Sequence, residues 1–322
     1  MRRRDFIATA LAALEASRVA VAAPGARVYR VGILTPSPQQ WEPKAFRNAL
    51  AGRGYVEGRN LALDVRSADG RLDRLPMLAA GLAAAQPDVI VAVNTPGARA
   101  AIAATKTVPI VMAVVGDPVG SGFVSSLARP GGNVTGISNL SAELAAKRLS
   151  ILKELVPTAR NVGILFNPND PVTTPQLKDT GSAAPLIDVE IRPFPTTEIA
   201  ALQTVFGQLS EWHADAALWL AGQAASLEKG TIGLARDRKL PIMYILKRDV
   251  RAGGLVSYFA EYIELFGKVG LYVSRILGGE KPADLPVEQP TKFELAINLK
   301  TVHALGLTVP PALLARADEV SE

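Results

Sequence analysis

From Val28 onward the chain alternates between two hydrophobic rhythms. The short runs VYRVGIL (Val28 to Leu34), NLALDVR (Asn60 to Arg66), DVIVAV (Asp88 to Val93) and VPIVMAV (Val108 to Val114) read as strands. Between them, Trp41 to Arg53 and Leu72 to Ala85 carry helical spacing. The third and fourth runs are continuously apolar rather than alternating, as strands covered on both faces of a parallel sheet are. Gly97 to Thr105 is Ala-rich and helical, so Asn94-Thr95-Pro96 falls at a strand's carboxyl end.

A Gly-rich stretch, RPGGNVTGIS (Arg129 to Ser138), predicts a turn and an extended crossover, after which a second series begins. Ser141 is placed to cap a helix with Glu143 in its first turn, and Pro157 ends that helix. Strands follow at Asn161 to Phe166, at LIDVEIRPF and at Asp215 to Leu220, with helices over Gln176 to Ala184, Glu198 to Trp212 and Ser226 to Lys239. Two β/α series of similar order predict an α/β protein with two Rossmann-like lobes, each on a parallel central sheet. The remaining chain offers a strand (Gly253 to Phe259), a helix with one apolar face ended by Gly278-Gly279, a strand (Lys292 to Leu299) and a short helix. That is too little to fold alone, so it packs back across the lobes. The expected division is lobe 1 from 28–139 plus about 254–280, and lobe 2 with a hinge-crossing tail from 140–253 plus about 281–322. A chain that crosses several times between lobes favours hinge closure over free tethering.

Composition narrows the class. With 322 residues, 48% hydrophobic and 20% charged, the chain can fill two cores of ordinary domain size. Of the net charge of +5, +2 lies in residues 2–18, and no Lys/Arg block follows, which argues against a nucleic-acid partner. MRRRDF, the apolar run FIATALAAL and Ala20-Val21-Ala22 together read as an export signal over 1–22. Arg3-Arg4-Asp5-Phe6-Ile7 also resembles the twin-arginine signal; the alternative is an amphipathic first helix, which Glu15 and Arg18 would suit. There is no cysteine, hence no disulfide and no lipid-anchor site near residue 22, and nothing after residue 23 reaches the ~18 to 20 apolar residues of a membrane span. The expected product is exported and soluble, without direct membrane insertion.

Open parallel α/β sheets bind ligands outside the carboxyl ends of their strands. The candidate ligand residues on those loops are Ser37, Trp41, Asn94, Thr95, Pro96, Gly97, Asp117, Asn167, Asn169 and Gln223, with Tyr258 at the end of a later strand. Each has a second reading. Thr95-Pro96 either caps a helix or touches the ligand, and Asp117 either caps a helix or pairs with a ligand ammonium. Trp41 either stacks on a ring or covers the sheet; Tyr258 belongs either to the cleft or to the core. The PGGNVTG glycines do not match a dinucleotide fingerprint, so no cofactor is expected. The histidines, His213 and His303, are too few and too scattered for a metal site or a His-based triad, so no catalytic residue is assigned. A Rossmann-type enzyme acting on a small carboxylate and the ligand-sensing domain of a regulator remain the alternatives; the latter would need a basic helix-turn-helix ahead of residue 28.

The stretches LAGRGYVEGRNLALDVRSADGRLDRLPMLAAGL, VPIVMAVVGDPVGSGFVSSLARPGGNVTGIS, ELAAKRLSILKELVPTARNVGILFNPNDP and RILGGEKPADLPVEQPTKFELAINLKTVHALGLTVPPALLARADEV closely resemble bacterial ABC-transporter substrate-binding proteins of the tryptophan/tyrosine type. The resemblance covers nearly the whole chain. It implies a periplasmic protein of the type I periplasmic binding-protein class, with three hinge crossovers, and delivery to a transporter makes a monomer the expected state. Such a protein captures an amino acid or related solute and presents it to a permease and its ATPase. The family's first-lobe loops correspond to Ser37, Thr95, Pro96 and Asp117, and its second-lobe turn to Asn167-Pro168-Asn169. Where the family commonly has an acidic residue after ALWL, this chain has Gly222-Gln223, and after PIMY it has Ile245-Leu246-Lys247-Arg248. Those departures leave a plain carboxylate solute as an alternative to one with an ammonium group.

Overall fold

The two continuously apolar runs form the centre of the first sheet. In the computed structural model, which describes residues 27–222 and 225–322, β3 (Val89–Val93) and β4 (Ile110–Val115) are buried along their whole length. Each Val or Ile so buried contributes about 1.5–3 kcal/mol. They lie between β1 (Tyr29–Thr35) with β2 (Leu61–Ser67) on one side and β5 (Val134–Ser138) on the other, in an all-parallel sheet of order β2-β1-β3-β4-β5. Helices α1 (Pro43–Ala51), α2 (Leu75–Ala84) and α3 (Asn94–Ala104) connect these strands. The expected export signal and Gln223 lie outside the described residues.

The second lobe runs α4 (Ser141–Leu155), β6 (Asn161–Phe166), α5 (Thr173–Ala183), β7 (Glu190–Pro195), α6 (Leu202–Glu211), β8 (Ala216–Trp219), α7 (Ala225–Asp237), β9 (Ile242–Tyr244) and α8 (Lys247–Arg251). Beyond it come β10 (Val256–Ala260), α9 (Tyr262–Leu277), β11 (Phe293–Asn298), α10 (Leu299–Ala304), α11 (Pro311–Leu314) and β12 (Glu319–Ser321). The second sheet has seven strands in the order β12-β11-β10-β9-β8-β6-β7, parallel except where β10 meets β11.

Strand pairing divides the tail differently from the sequence expectation. The stretch 254–280 was expected in lobe 1, yet β10 has β9 on one side and β11 on the other, so its main-chain groups are satisfied in the second sheet. Only α9 returns to the first lobe, against α1, β3, β4 and β5. Residues 285–288, expected in lobe 2, cover the free edge of β5 instead: Ser138 N–H donates to Glu288 O at 2.8 Å and Glu288 N–H to Gly136 O at 3.0 Å. The chain therefore crosses between lobes three times, between β5 and α4, between β10 and α9, and between Glu288 and β11.

Ser141 does not cap α4. It is the helix's first residue, its N–H is taken by Asn139 Oδ1 at 3.0 Å, and Leu140 makes the turn in the left-handed region (φ 54°). Gly136 needs its own left-handed-side conformation (φ 141°), since a Cβ there would overlap the Met112 main chain.

Candidate functional site

The carboxyl ends of both sheets open on one cavity between the lobes, which encloses about 550 Å³, part of it open to solvent. Val114 lines it from the end of β4 in a left-handed conformation (φ 61°), rare for a β-branched residue, and the β4–β5 register shifts there. This bend brings Gly116 beneath α3. Thr95, 2% exposed, accepts the Gly116 N–H through Oγ1 at 3.1 Å, tying the start of α3 to the end of β4. Asn94 (φ 57°), Thr95 and Pro96 present the helix's positive N-terminal end to the cavity. Gln40, Val114 and Asn139 complete this wall, which carries no carboxylate among the described residues.

The second-lobe wall is acidic. Asp170, which follows the Asn-Pro-Asn turn, is 1% exposed and accepts the Val172 N–H at 3.0 Å. Burial pushes its carboxyl up to about 6, against the opposing pull of that hydrogen bond and of Arg99. Glu228, in the first turn of α7, is raised well above the usual carboxylate range by burial and then by Asp249; burial also raises Asp249, against the pull of Arg248. Arg248 lies 3.7 Å from Glu228 and 3.6 Å from Asp249. Behind this wall Arg148 is fully buried, and burial lowers its guanidinium to about 9. Its Nη2 donates to Gln176 Oε1 at 3.2 Å, and Gln176 in turn accepts from Ala221 N–H (2.8 Å) and donates to Ala221 O (2.7 Å), fixing the loop after β8.

Three contacts centre on the Pro38–Gln40 turn. Arg248 Nη1 donates to Gln39 O at 3.0 Å and Gln40 Nε2 to Gly222 O at 3.2 Å, both from one lobe to the other. Tyr262 on α9 donates its hydroxyl to Gln40 O at 3.0 Å. Phe259 and Tyr262 give the cavity an aromatic end.

Of the residues singled out from the sequence, Asn94, Thr95 and Pro96 line the cavity. Thr95 caps nothing; its hydroxyl is occupied by Gly116. Gly97 is buried under the helix against Leu34 O. Ser37 only starts the Pro38–Gln40 turn, its carbonyl accepting the Thr35 hydroxyl at 2.7 Å. Trp41 is packed between Phe46 and Phe266, with ring centroids 4.9 and 5.2 Å away, so it covers the sheet. Asp117 is exposed and accepts Gly120 N–H at 2.7 Å, closing its own loop outside the cavity. Asn167 accepts the N–H of Asn169 at 2.9 Å within their turn, and neither lines the cavity. Tyr258 stacks on Phe293 at 5.9 Å, away from the cavity.

Sequence reasoning missed Gln40, Asp170, Glu228, Arg248 and Tyr262. Asp170 had a signal, being the next residue after the turn already singled out. Glu228 had a weaker one, a lone acid in the first turn of the helix that follows the cleft-facing loop.

Among the described residues, no group of three or more His, Cys, Asp or Glu side chains is placed to hold a metal ion, and no helix is long and apolar enough to cross a membrane. Two α/β lobes, parallel-dominated sheets and a cavity at their facing strand ends define a solute-binding protein of the periplasmic-binding-protein type. The chain belongs to the ABC transporter substrate binding protein family, which it matches over residues 38–321. This is a family of substrate-binding proteins rather than of enzymes.

A tyrosine-binding protein from Clostridioides difficile is 30% identical over 269 residues, 82% of this chain and 76% of that protein. The structure of an ABC domain in complex with L-Trp from Streptococcus pneumoniae is 26% identical and superposes with a TM-score of 0.84, covering 91% of this chain and 99% of that one. A ligand-free, open structure of a substrate-binding protein with adhesive properties from Clostridium difficile has the same identity and coverage, 26%, 91% and 99%, but a TM-score of 0.65.

Proposed function

We propose that this chain captures an α-amino acid, aromatic or of comparable size, between its lobes outside the cytoplasmic membrane and hands it to an ABC permease driven by its ATPase. One observation carries the reading: the two walls of the cavity have opposite polarity. The first offers the N-terminal end of α3 and, among the described residues, no acid, which suits a carboxylate. The second offers Asp170 and Glu228, which suit an ammonium. The carboxylate missing from the Gly222-Gln223 loop is thus replaced by acids from the neighbouring loop and helix. Phe259 and Tyr262 supply an apolar end for a side chain. The L-Trp bound to one relative and the tyrosine named for the other support the same class.

Capture works through closure. A solute touching both walls stabilises the closed arrangement by the contacts it gains only there, and about 5.5 kcal/mol of such preference moves a 1:99 equilibrium to 99:1. Hydrogen bonds to charged groups contribute about 1.5–3 kcal/mol each, so a zwitterion gripped at both ends suffices. A thermal-shift screen against L-amino acids, plain aromatic and aliphatic carboxylates, and sugars tests the reading. An amino acid at about 100 times its Kd adds ~2.7 kcal/mol of stability. Stabilisation by plain carboxylates or sugars alone overturns it.

A further inference from the structure

A plain carboxylate site has no use for two buried acids. Glu228 and Asp249 are each 3% exposed, and Glu228 lines the cavity. Neither Glu228 Oε2 nor Asp249 Oδ2 meets a hydrogen-bond donor among the described residues. Two neighbouring buried carboxyls, each with one oxygen that no donor meets, keep one proton between them, because both cannot ionise cheaply in a dry site.

The groups around the pair are identifiable. Arg248 of α8 approaches both acids at 3.6–3.7 Å, beyond hydrogen-bond length, and its Nη1 is committed to Gln39. Arg148 of α4 adds a positive charge from within the lobe. Tyr244 of β9 and Tyr262 of α9 face the pair as neutral phenols, their ionisation pushed upward by burial. Thr231 of α7 gives its hydroxyl to the Glu228 main-chain carbonyl at 2.6 Å, not to the carboxyl. Arg248 offsets part of the pair's charge, but neither Glu228 Oε2 nor Asp249 Oδ2 has a cationic donor within hydrogen-bond length.

We propose that Glu228, backed by Asp249, selects a solute bearing a cationic nitrogen, and that this nitrogen displaces the proton the two carboxyls share. The inference rests on the amino-acid reading and adds to it a selecting residue and a proton balance. Before capture the pair holds one proton and one negative charge. On capture both carboxylates are ionised against the solute's ammonium and Arg248, and the proton passes to solvent. Burial raises both carboxyls and Asp249 raises Glu228 further, so the proton belongs to the pair. Asp170, with its carboxyl at about 6, is already ionised at about pH 7.5 and releases nothing there, so proton release at that pH reports the pair.

The test is calorimetric titration at about pH 7.5 with L-tryptophan and L-tyrosine, in two buffers of different ionisation enthalpy. Each amino acid is compared with its des-amino analogue, indole-3-propionate or 3-(4-hydroxyphenyl)propionate, on the wild-type protein and on Glu228→Gln. The expected result is buffer-dependent heat for the amino acids, showing proton release, and analogues weaker by about tenfold or more. Glu228→Gln should lose both the buffer dependence and most of that preference. Tight amino-acid binding with buffer-independent heat in the wild type overturns the inference and leaves the amino-acid reading standing. Binding of the analogues alone overturns both. The wild-type measurement stands even where the variant fails to fold.

Discussion

Arg248, on the second lobe, donates through Nη1 to the main-chain carbonyl of Gln39, on the first, at 3.0 Å, while the rest of its guanidinium faces Glu228 and Asp249. The buried acids hold the cation in place and the cation holds the opposite lobe. Arg248 is also part of the cavity wall, so the group that a solute meets is one that keeps the lobes together. The same conformation superposes better on the L-Trp complex than on the open, ligand-free relative. On the proposed reading, closure and the solute site are one construction.

Arg248→Met keeps the stem and removes the cross-lobe bond. A charge-assisted hydrogen bond of about 1.5–3 kcal/mol corresponds to roughly a ten- to hundredfold loss of solute affinity. Calorimetric titration of the variant checks this; wild-type affinity removes Arg248 from the closure mechanism.

Gly116→Ala acts on the same equilibrium sterically. A Cβ on Gly116 overlaps the Val172 Cγ2 atom across the cleft and comes within 2.8 Å of Ser141 Oγ. Moving the lobes apart would carry Val172 away from the methyl, so the empty variant is expected to keep its stability while solute affinity falls by about tenfold or more, in line with overpacking costs of 1–3 kcal/mol. Parallel thermal-melt and titration curves separate the two effects.

Thr95→Ala leaves the Gly116 N–H unsatisfied in a buried position. The expected cost is about 1–3 kcal/mol of stability together with weaker solute binding, while Thr95→Ser, which keeps the hydroxyl, restores most of both. Urea unfolding and titration of the pair of variants provide the check.

Asp170 makes stability depend on pH. Its folded pKa of about 6 lies above the unfolded value of 3.8, so ionising it opposes folding. On this count stability is greatest below the unfolded pKa and declines as pH rises through about 6, by up to roughly 3 kcal/mol. Asp170→Asn should therefore be close to neutral at about pH 4 and stabilising at about pH 7.5. Urea midpoints at the two pH values measure it; an effect of the same size at both contradicts the assignment.

Much of the architecture was legible because periodicity reports burial. DVIVAV and VPIVMAV are apolar throughout because β3 and β4 are covered on both faces. Asn94, Thr95 and Pro96 were legible because strand ends of parallel sheets open on clefts. The tail was not, since an apolar run such as that of β10 carries no mark of which sheet will pair with it. The ligand readings of Trp41 and Asp117 failed for a related reason, while the alternative given for Trp41, that it covers the sheet, is what the structure shows. Their types suit a ligand, but a neighbouring Phe46 and Phe266, or the N–H of Gly120 three residues on, already satisfied them. Glu228 carried only a weak signal and Arg248 stood out only as a departure from the family, because their importance comes from meeting each other and Gln39 across long stretches of chain.

The most direct measurement is small-angle X-ray scattering of the protein titrated with L-tryptophan or L-tyrosine, at concentrations that calorimetry shows to be saturating. Capture between the lobes predicts a radius of gyration that falls with occupancy and reaches the value calculated from the arrangement described above, with the fall in Gly116→Ala displaced to about tenfold or more higher solute concentration. A calorimetrically saturated protein whose scattering does not change, or follows saturation in the opposite direction, would contradict capture by closure.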